Sequence, residues 1–350
     1  MRPARAEDVL IVSLGSTEGL RRADEELRDS LARAGARVDL VRALAPGHTR
    51  TLMLTDLTWA RAARGAASSA LAQPRRSRPP AIVYSSTTAA LLWPCPGAIR
   101  FDAASAGNRP GRHGLWQRPL ERRRLARAPL LLPWSEGALR EASLVTRQRP
   151  RALVLPVPAE PSGPPAPARD IAAITYAANP SKKGLDRVLA AWRGVRDERG
   201  SGTGEELVVA GASVEELALA GFDISTADGV RVVGALPAGE YRALLRRARV
   251  FVCAPRREDY GIAQLEALAD GCLLVSTPAP GPYAALPIAR ALDQRLVGED
   301  LRDALRTAIE DPAPDYATRA RDALAPFRRE AVDKLVAEEL LPRLLACAAR

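Results

Sequence analysis

The sequence has 350 residues, 47% of them hydrophobic and only 4% aromatic, with a formal charge of +10. That length suits two domains whose cores are built from Leu, Val and Ala rather than from rings. No apolar run reaches about 18 residues, which excludes a membrane-spanning helix. The four cysteines (Cys95, Cys253, Cys272, Cys347) contain no C-x-x-C pair, and with two histidines (His48, His113) they exclude a zinc site of the usual spacing.

The start, MRPARAEDVLIVSLG, is too polar ahead of its short apolar run to read as a signal peptide. Cys253 and Cys272 stand in apolar surroundings, as buried thiols of a reducing cytosol do. Val9 to Leu14 is an apolar run that predicts a strand, and Gly15 sits in the turn after it. Arg21 to Ala34 predicts an amphipathic helix, stopped by Gly35, and Val38 to Val41 a second strand. This βαβ opening lacks the full G-x-G-x-x-G pattern, so a dinucleotide fingerprint is not supported. Gly15 either serves a tight turn or lets a ligand approach the backbone.

Trp59 to Ala72 is expected to be helical and Gln73 to Pro80 a basic loop. Strands are expected at Ala81–Tyr84, Ala98–Phe101, Leu130–Pro133 and Ala152–Leu155, with a helix from Glu136 to Val145. Asp102 follows the strand 98–101. In open α/β sheets the carboxyl ends of strands carry chemistry, so Asp102 is a candidate; a capping aspartate fits the same position. The most basic stretch lies around it, with Arg100, Arg109, Arg112, Arg118, Arg122, Arg123, Arg124 and Arg127. It reads as a grip for an anionic acceptor or an anionic membrane surface, or as a solvated face. Only Trp116 interleaves this segment with a stacking aromatic, which speaks against nucleic acid.

Pro156 to Arg169 (PVPAEPSGPPAPAR) is a stiff, extended linker. The expected division is 1–158, an N-terminal α/β domain; 159–169, the linker; 170–327, a second α/β domain; and 328–350, a C-terminal helix kinked at Pro342. Two such halves on a linker imply facing domains with a cleft.

In the second half, Ile171 to Tyr176 predicts a strand, and Lys182-Lys183-Gly184 precedes a helix. A lysine beside glycine at a helix start suits a diphosphate; it also suits a solvated surface. Val250 to Cys253 predicts a buried strand, Ile262 to Ala269 a helix closed by Gly271, and Leu273 to Val275 the next strand. Glu258 precedes that helix and Glu266 lies inside it. Gly261 opens it without a side chain, and helix starts favour phosphate. Two carboxylates flanking such a site suit the hydroxyls of a nucleotide-sugar; an ordinary βαβ unit with two solvated glutamates gives the same spacing.

Glu258-x-Tyr260-Gly261-Ile262-x-x-Leu265-Glu266-Ala267-Leu268-Ala269-x-Gly271 resembles the E-x7-E signature of family 4 glycosyltransferases of the GT-B fold. The resemblance is close from about Ile171 to Leu286 and general from Val9 to Pro158. It implies an α/β GT-B architecture of two Rossmann-like parallel-sheet domains and transfer of a sugar from a nucleoside diphosphate, with retention and without a metal or other cofactor. It implies that Glu258 faces the donor sugar, Tyr260, Gly261 and Ile262 present backbone to it, and Glu266 binds the ribose. Lys183-Gly184 matches the K-G that binds the donor diphosphate, and Gly15 and Gly281 match glycines beside the donor. Four positions depart from the pattern. Ala177 stands where an arginine is usual, with Lys182, Arg256 or Arg257 as substitutes. Asp102 replaces a histidine, which leaves the acceptor-side chemistry open, and Pro280 and Ala284 replace a glycine and a glutamate of the second donor loop. A binding or scaffold protein with a degenerate donor site is the other reading, and a phosphorylase-like or epimerase-like enzyme a third. The acceptor is unspecified, whether sugar, lipid or small molecule. The expected location is cytoplasmic, with peripheral contact at the inner membrane face.

Overall fold

The computed structural model describes residues 8–348 apart from 45, 46, 48, 74–78, 110, 143–150, 165, 167, 201–203, 226 and 227. His48, most of the basic loop 73–80 and the end of the helix expected over 136–145 therefore lie outside the described residues. The chain divides into two compact units, Met1–Pro158 with Phe327–Arg350, and Ala159–Pro326.

The first unit is built on five parallel strands: β1 (Asp8–Ser13), β2 (Arg37–Arg42), β3 (Ala81–Tyr84), β4 (Ala98–Phe101) and β5 (Leu131–Pro133), in the spatial order β2-β1-β3-β4-β5. Helices cover both faces, so the inner strands are apolar throughout rather than alternating. Leu10, Val12, Tyr84, Ile99 and Phe101 pack on one face against Ala63 and Ala67 of the helix Leu52–Leu71. Val9, Ile11, Val83 and Leu132 pack on the other against Leu27 and Leu31. That second core is completed by Val332, Val336, Leu340 and Leu344 of the chain's end, which is anchored to the first helix by Arg33 Nε and Asp333 Oδ2 at 2.6 Å.

Three expectations for this unit change. The helix predicted from Trp59 begins at Leu52, because the Thr51 hydroxyl caps the N–H of Leu54. Residues 152–155 form no strand; they run beside β5 through Leu153 N–H to Leu131 O and Leu155 N–H to Pro133 O, and the prolines that follow cannot continue a ladder. The C-terminal helix carries a wider turn ahead of Pro342. It runs Arg329–Leu335, widens into a π-helical turn at Val336–Leu340, and resumes at Leu341–Ala348. Pro342 has no N–H to offer the carbonyl four residues back, and the wider turn accommodates the break.

The second unit has β6 (Ile171–Tyr176), β7 (Leu207–Ala210), β8 (Val230–Gly234), β9 (Ala248–Cys253) and β10 (Leu273–Ser276), all parallel, in the order β10-β9-β6-β7-β8. Two helices absent from the sequence reading, Ala285–Leu292 and Tyr316–Ala323, lie after β10. Pro287 hides the first, yet it sits in the opening turn, where a missing N–H costs nothing. Among the described residues no helix is long and apolar enough to cross a membrane.

Candidate nucleotide-sugar site

The order β10-β9-β6-β7-β8 has a switch point between β6 and β9, where successive connections leave in opposite directions and open a crevice at the carboxyl ends of the strands. Lys183 lies in the segment after β6, and Glu258 in the segment after β9.

After β6, Asn179 Oδ1 accepts from the Lys182 N–H at 3.0 Å and starts the turn Pro180–Lys183. Gly184 ends it at φ +65°. A Cβ there would overlap the carbonyl oxygen of Ala254, so only glycine lets this turn press against the loop after β9. The Arg256 N–H donates to Lys182 O at 2.9 Å across the same seam. Lys183 is thereby delivered to Glu258, with Nζ 2.6 Å from Oε2. Gln264 Nε2 donates to the same oxygen at 3.1 Å. The Glu258 side chain is 7% exposed and that of Lys183 23%, so the pair is a largely sheltered ion pair with one side open.

Gly261 opens the helix Ile262–Ala269 at φ +92°, with no side-chain cap on its first turn. Its missing side chain leaves room against the Tyr283 ring, which a Cβ would meet at 2.9 Å. Tyr260 is buried and Ile262 half-buried. Gly281, at φ +113°, lies so close to Glu258 O that a Cβ could not fit. The loops 258–260 and 280–284 are zipped together by Glu258 N–H to Pro280 O at 3.0 Å and Ala284 N–H to Tyr260 O at 2.9 Å. Beneath them Tyr283 OH and Ser276 Oγ lie 3.0 Å apart, each within 3.5 Å of Cys253 Sγ. Burial pushes the Cys253 thiol up, so it stays protonated.

Glu266 is about one turn into the same helix and 6% exposed. Its Oε1 faces Arg242 Nη1 at 3.4 Å. The helix ends at Gly271 with Cys272 N–H returning to Ala267 O at 2.9 Å, a left-handed glycine stop.

The three cations considered as substitutes at Ala177 are all engaged with carboxylates. Lys182 Nζ is 3.1 Å from Asp259 Oδ2, Arg257 Nε 2.8 Å from Asp259 Oδ1, and Arg256 Nη2 3.0 Å from Asp186 Oδ2. Ala177 itself is buried, its N–H donating to Ala210 O at 2.7 Å.

Gly15 and Asp102 belong to the first unit. The Gly15 carbonyl accepts from Arg21 Nη1 at 2.9 Å, and the residue adopts φ +53° after β1, at the β1–β3 switch point. Asp102 Oδ1 accepts from the next residue's N–H, Ala103, at 2.9 Å. Sequence reasoning missed the buried Asp24 near these strand ends, whose Oδ2 accepts from Ser13 Oγ at 2.5 Å and whose Oδ1 lies 3.3 Å from Arg100 Nη1. Burial pushes the Asp24 carboxyl up, with Arg100 opposing. It also missed Asp56, which holds Arg109 of the basic stretch in a two-pronged contact at 2.7 and 3.1 Å. Gln264 and Arg242 went unnoticed too, Gln264 as an unmarked position of the motif and Arg242 as one arginine among many. A cavity of about 610 Å³ lined by Glu205, Glu206 and Arg231 lies at the edge strand β8 and contains none of the candidate residues. Among the described residues no cluster of His, Cys, Asp and Glu could hold a metal ion.

Residues 169–311 match the family model for glycosyl transferases group 1. No curated protein matches the sequence. Solved structures match along nearly the whole chain. WaaG, a glycosyltransferase involved in lipopolysaccharide biosynthesis, is 16% identical with a TM-score of 0.62, covering 97% of this chain and 98% of its own. The sucrose-phosphate synthase of Thermosynechococcus elongatus is 17% identical with a TM-score of 0.67, covering 98% of this chain and all of its own (100%). HepE of Anabaena, solved with UDP and glucose, is 12% identical with a TM-score of 0.63, covering 96% and 99%. At these identities the likeness establishes the fold, which is the α/β GT-B architecture of two parallel-sheet units.

Proposed function

We propose that the protein is a glycosyltransferase that moves a sugar from a nucleoside diphosphate to an acceptor. The observation that carries this reading is the meeting of Lys183 and Glu258 beside the uncapped helix start at Gly261, inside the stretch that matches glycosyl transferases group 1. Lys183 and the first-turn N–H groups of Ile262–Ala269 supply positive potential for the diphosphate, which carries the charge that develops as the glycosidic bond breaks. In this reading no metal and no other cofactor is required. Glu258, held by Lys183 and Gln264, accepts hydroxyls of the transferred sugar. Glu266 accepts the ribose hydroxyls, and Gly281 keeps the second loop close enough to Glu258 to form the floor. Transfer proceeds with retention. Gly15 and Asp102 are assigned to the acceptor side, in a cytoplasmic setting with the arginine-rich stretch around Asp102 meeting an anionic acceptor or membrane face.

Release of nucleoside diphosphate from a panel of UDP-, GDP- and ADP-sugars with sugar, lipid and small-molecule acceptors tests this, with the anomeric form of the product read by NMR. Turnover with one donor, lost in Glu258→Gln and Lys183→Ala, supports it; wild-type turnover in both variants contradicts it.

A second reading is a GT-B protein that binds its ligand without turnover. Ala177 is buried, and Lys182, Arg256 and Arg257 are each committed to Asp186 or Asp259, so the usual second diphosphate cation has no ready replacement. Binding of a nucleotide-sugar without product, across the whole acceptor panel, would favour it.

A further inference from the structure

We infer that Arg242 is a positioning residue for Glu266, so that affinity for the ribose depends on a side chain that does not touch it; the inference rests on the donor site proposed above. Arg242 lies on the helix Ala238–Arg247 and is 7% exposed. Its guanidinium has three partners. Nε donates to Asp270 Oδ2 at 2.6 Å, Nη2 to the backbone carbonyl of Glu160 at 2.7 Å, and Nη1 stands 3.4 Å from Glu266 Oε1.

The two short bonds fix the guanidinium plane, and the long contact follows from them. A planar fork held on two edges can only present its third edge where the geometry leaves it. Asp270 cannot swing to relax this arrangement. It accepts from the Ser162 N–H at 2.7 Å and from Ser162 Oγ at 2.9 and 3.1 Å, while Arg246 Nη1 donates to Ser162 Oγ at 2.6 Å. A carboxylate as buried as that of Glu266 needs a counter-charge beside it. Arg242 supplies it from a distance that orients the carboxylate without closing on it. Were Asp270 neutral, the guanidinium would be released toward Glu266 and would compete with the ribose hydroxyls for the same oxygens.

The test is calorimetric titration of the full chain with the nucleoside diphosphate that binds best and with its 2′,3′-dideoxy counterpart. Wild type should prefer the hydroxylated ligand by about tenfold or more, the worth of a charge-assisted hydrogen bond. Arg242→Met should lose most of that preference while binding the dideoxy ligand as wild type does. Arg242→Lys should fall between them, and Asp270→Asn should also weaken the hydroxylated ligand selectively. Equal losses for both ligands in Arg242→Met would reduce the residue to a structural role, and an unchanged preference would overturn the inference. If Arg242→Met does not fold, Asp270→Asn decides by the same comparison. Absence of any nucleoside diphosphate binding by wild type would instead overturn the donor site itself, and the inference with it.

Discussion

Lys183 and Glu258 are 75 positions apart in sequence, yet Lys183 Nζ and Glu258 Oε2 stand 2.6 Å apart. The lysine follows β6 and the glutamate follows β9, adjacent strands whose connections diverge. The residue proposed to meet the diphosphate thus holds the residue proposed to meet the sugar. A donor entering this site has to share the ion pair, drawing Lys183 toward phosphate while Gln264 keeps Glu258 in place.

Removing one partner should therefore cost more than removing both. Lys183→Ala leaves the buried Glu258 carboxylate short of a counter-charge, at a cost of about 1–3 kcal/mol. The double variant Lys183→Met/Glu258→Gln should recover part of that loss, because no unpaired charge remains. Urea unfolding of the two singles and the double checks this; additive losses would show that the pair is not coupled. Turnover should fall by about 10²–10³ in each single variant.

Gly184 and Gly281 carry the close approach of three loops. Gly184→Ala places a methyl group on the Ala254 carbonyl, and Gly281→Ala places one on the Glu258 carbonyl, both at left-handed φ. Each should destabilise the second unit by about 1–3 kcal/mol and weaken nucleotide-sugar binding out of proportion to that loss. Gly35→Ala makes the control: it shares the positive φ, but a Cβ there meets nothing within 4 Å. Thermal melts alongside titrations separate the two effects.

The strands of both sheets were legible because buried parallel strands are written as unbroken apolar runs, as at Val9–Val12 and Val250–Cys253. The helix Ile262–Ala269 was legible from its two bounding glycines. The partnerships were not. Nothing in one-dimensional spacing pairs Arg242 with Glu266, or marks Gln264 as the donor to Glu258, since both depend on how separate elements are stacked. The helix Ala285–Leu292 was lost to a proline whose harm depends on its place in the turn. Residues 152–155 looked like a strand because they are apolar, but they end in prolines that cannot pair.

The chain's end should dock in a pH-dependent way. The hydrogen bonds from Arg33 hold the Asp333 carboxyl below its ordinary value of 3.8. A depressed folded pKa means the contribution is present above 3.8 and is lost as pH falls through the lower folded value. Because the pair is partly exposed, its worth is about 0.3–1 kcal/mol. The stability difference between wild type and Asp333→Asn should be constant from pH 7 to 5 and vanish in the acid range; a difference that grows on acidification would contradict this.

Leu340 is fully buried against the first unit's sheet, in the π-helical turn. Leu340→Ala should cost about 2–5 kcal/mol, whereas Leu219→Ala, at a residue 90% exposed, should cost less than about 0.5 kcal/mol. Denaturant midpoints of the two variants make the comparison.

The most direct measurement is a calorimetric titration of wild type and Lys183→Ala with UDP-, GDP- and ADP-sugars and the free nucleoside diphosphates. Binding of one nucleotide by wild type, weakened at least about tenfold by Lys183→Ala, is the expected result. No binding across the panel, or equal binding by both proteins, would contradict the donor site at the β6–β9 crevice.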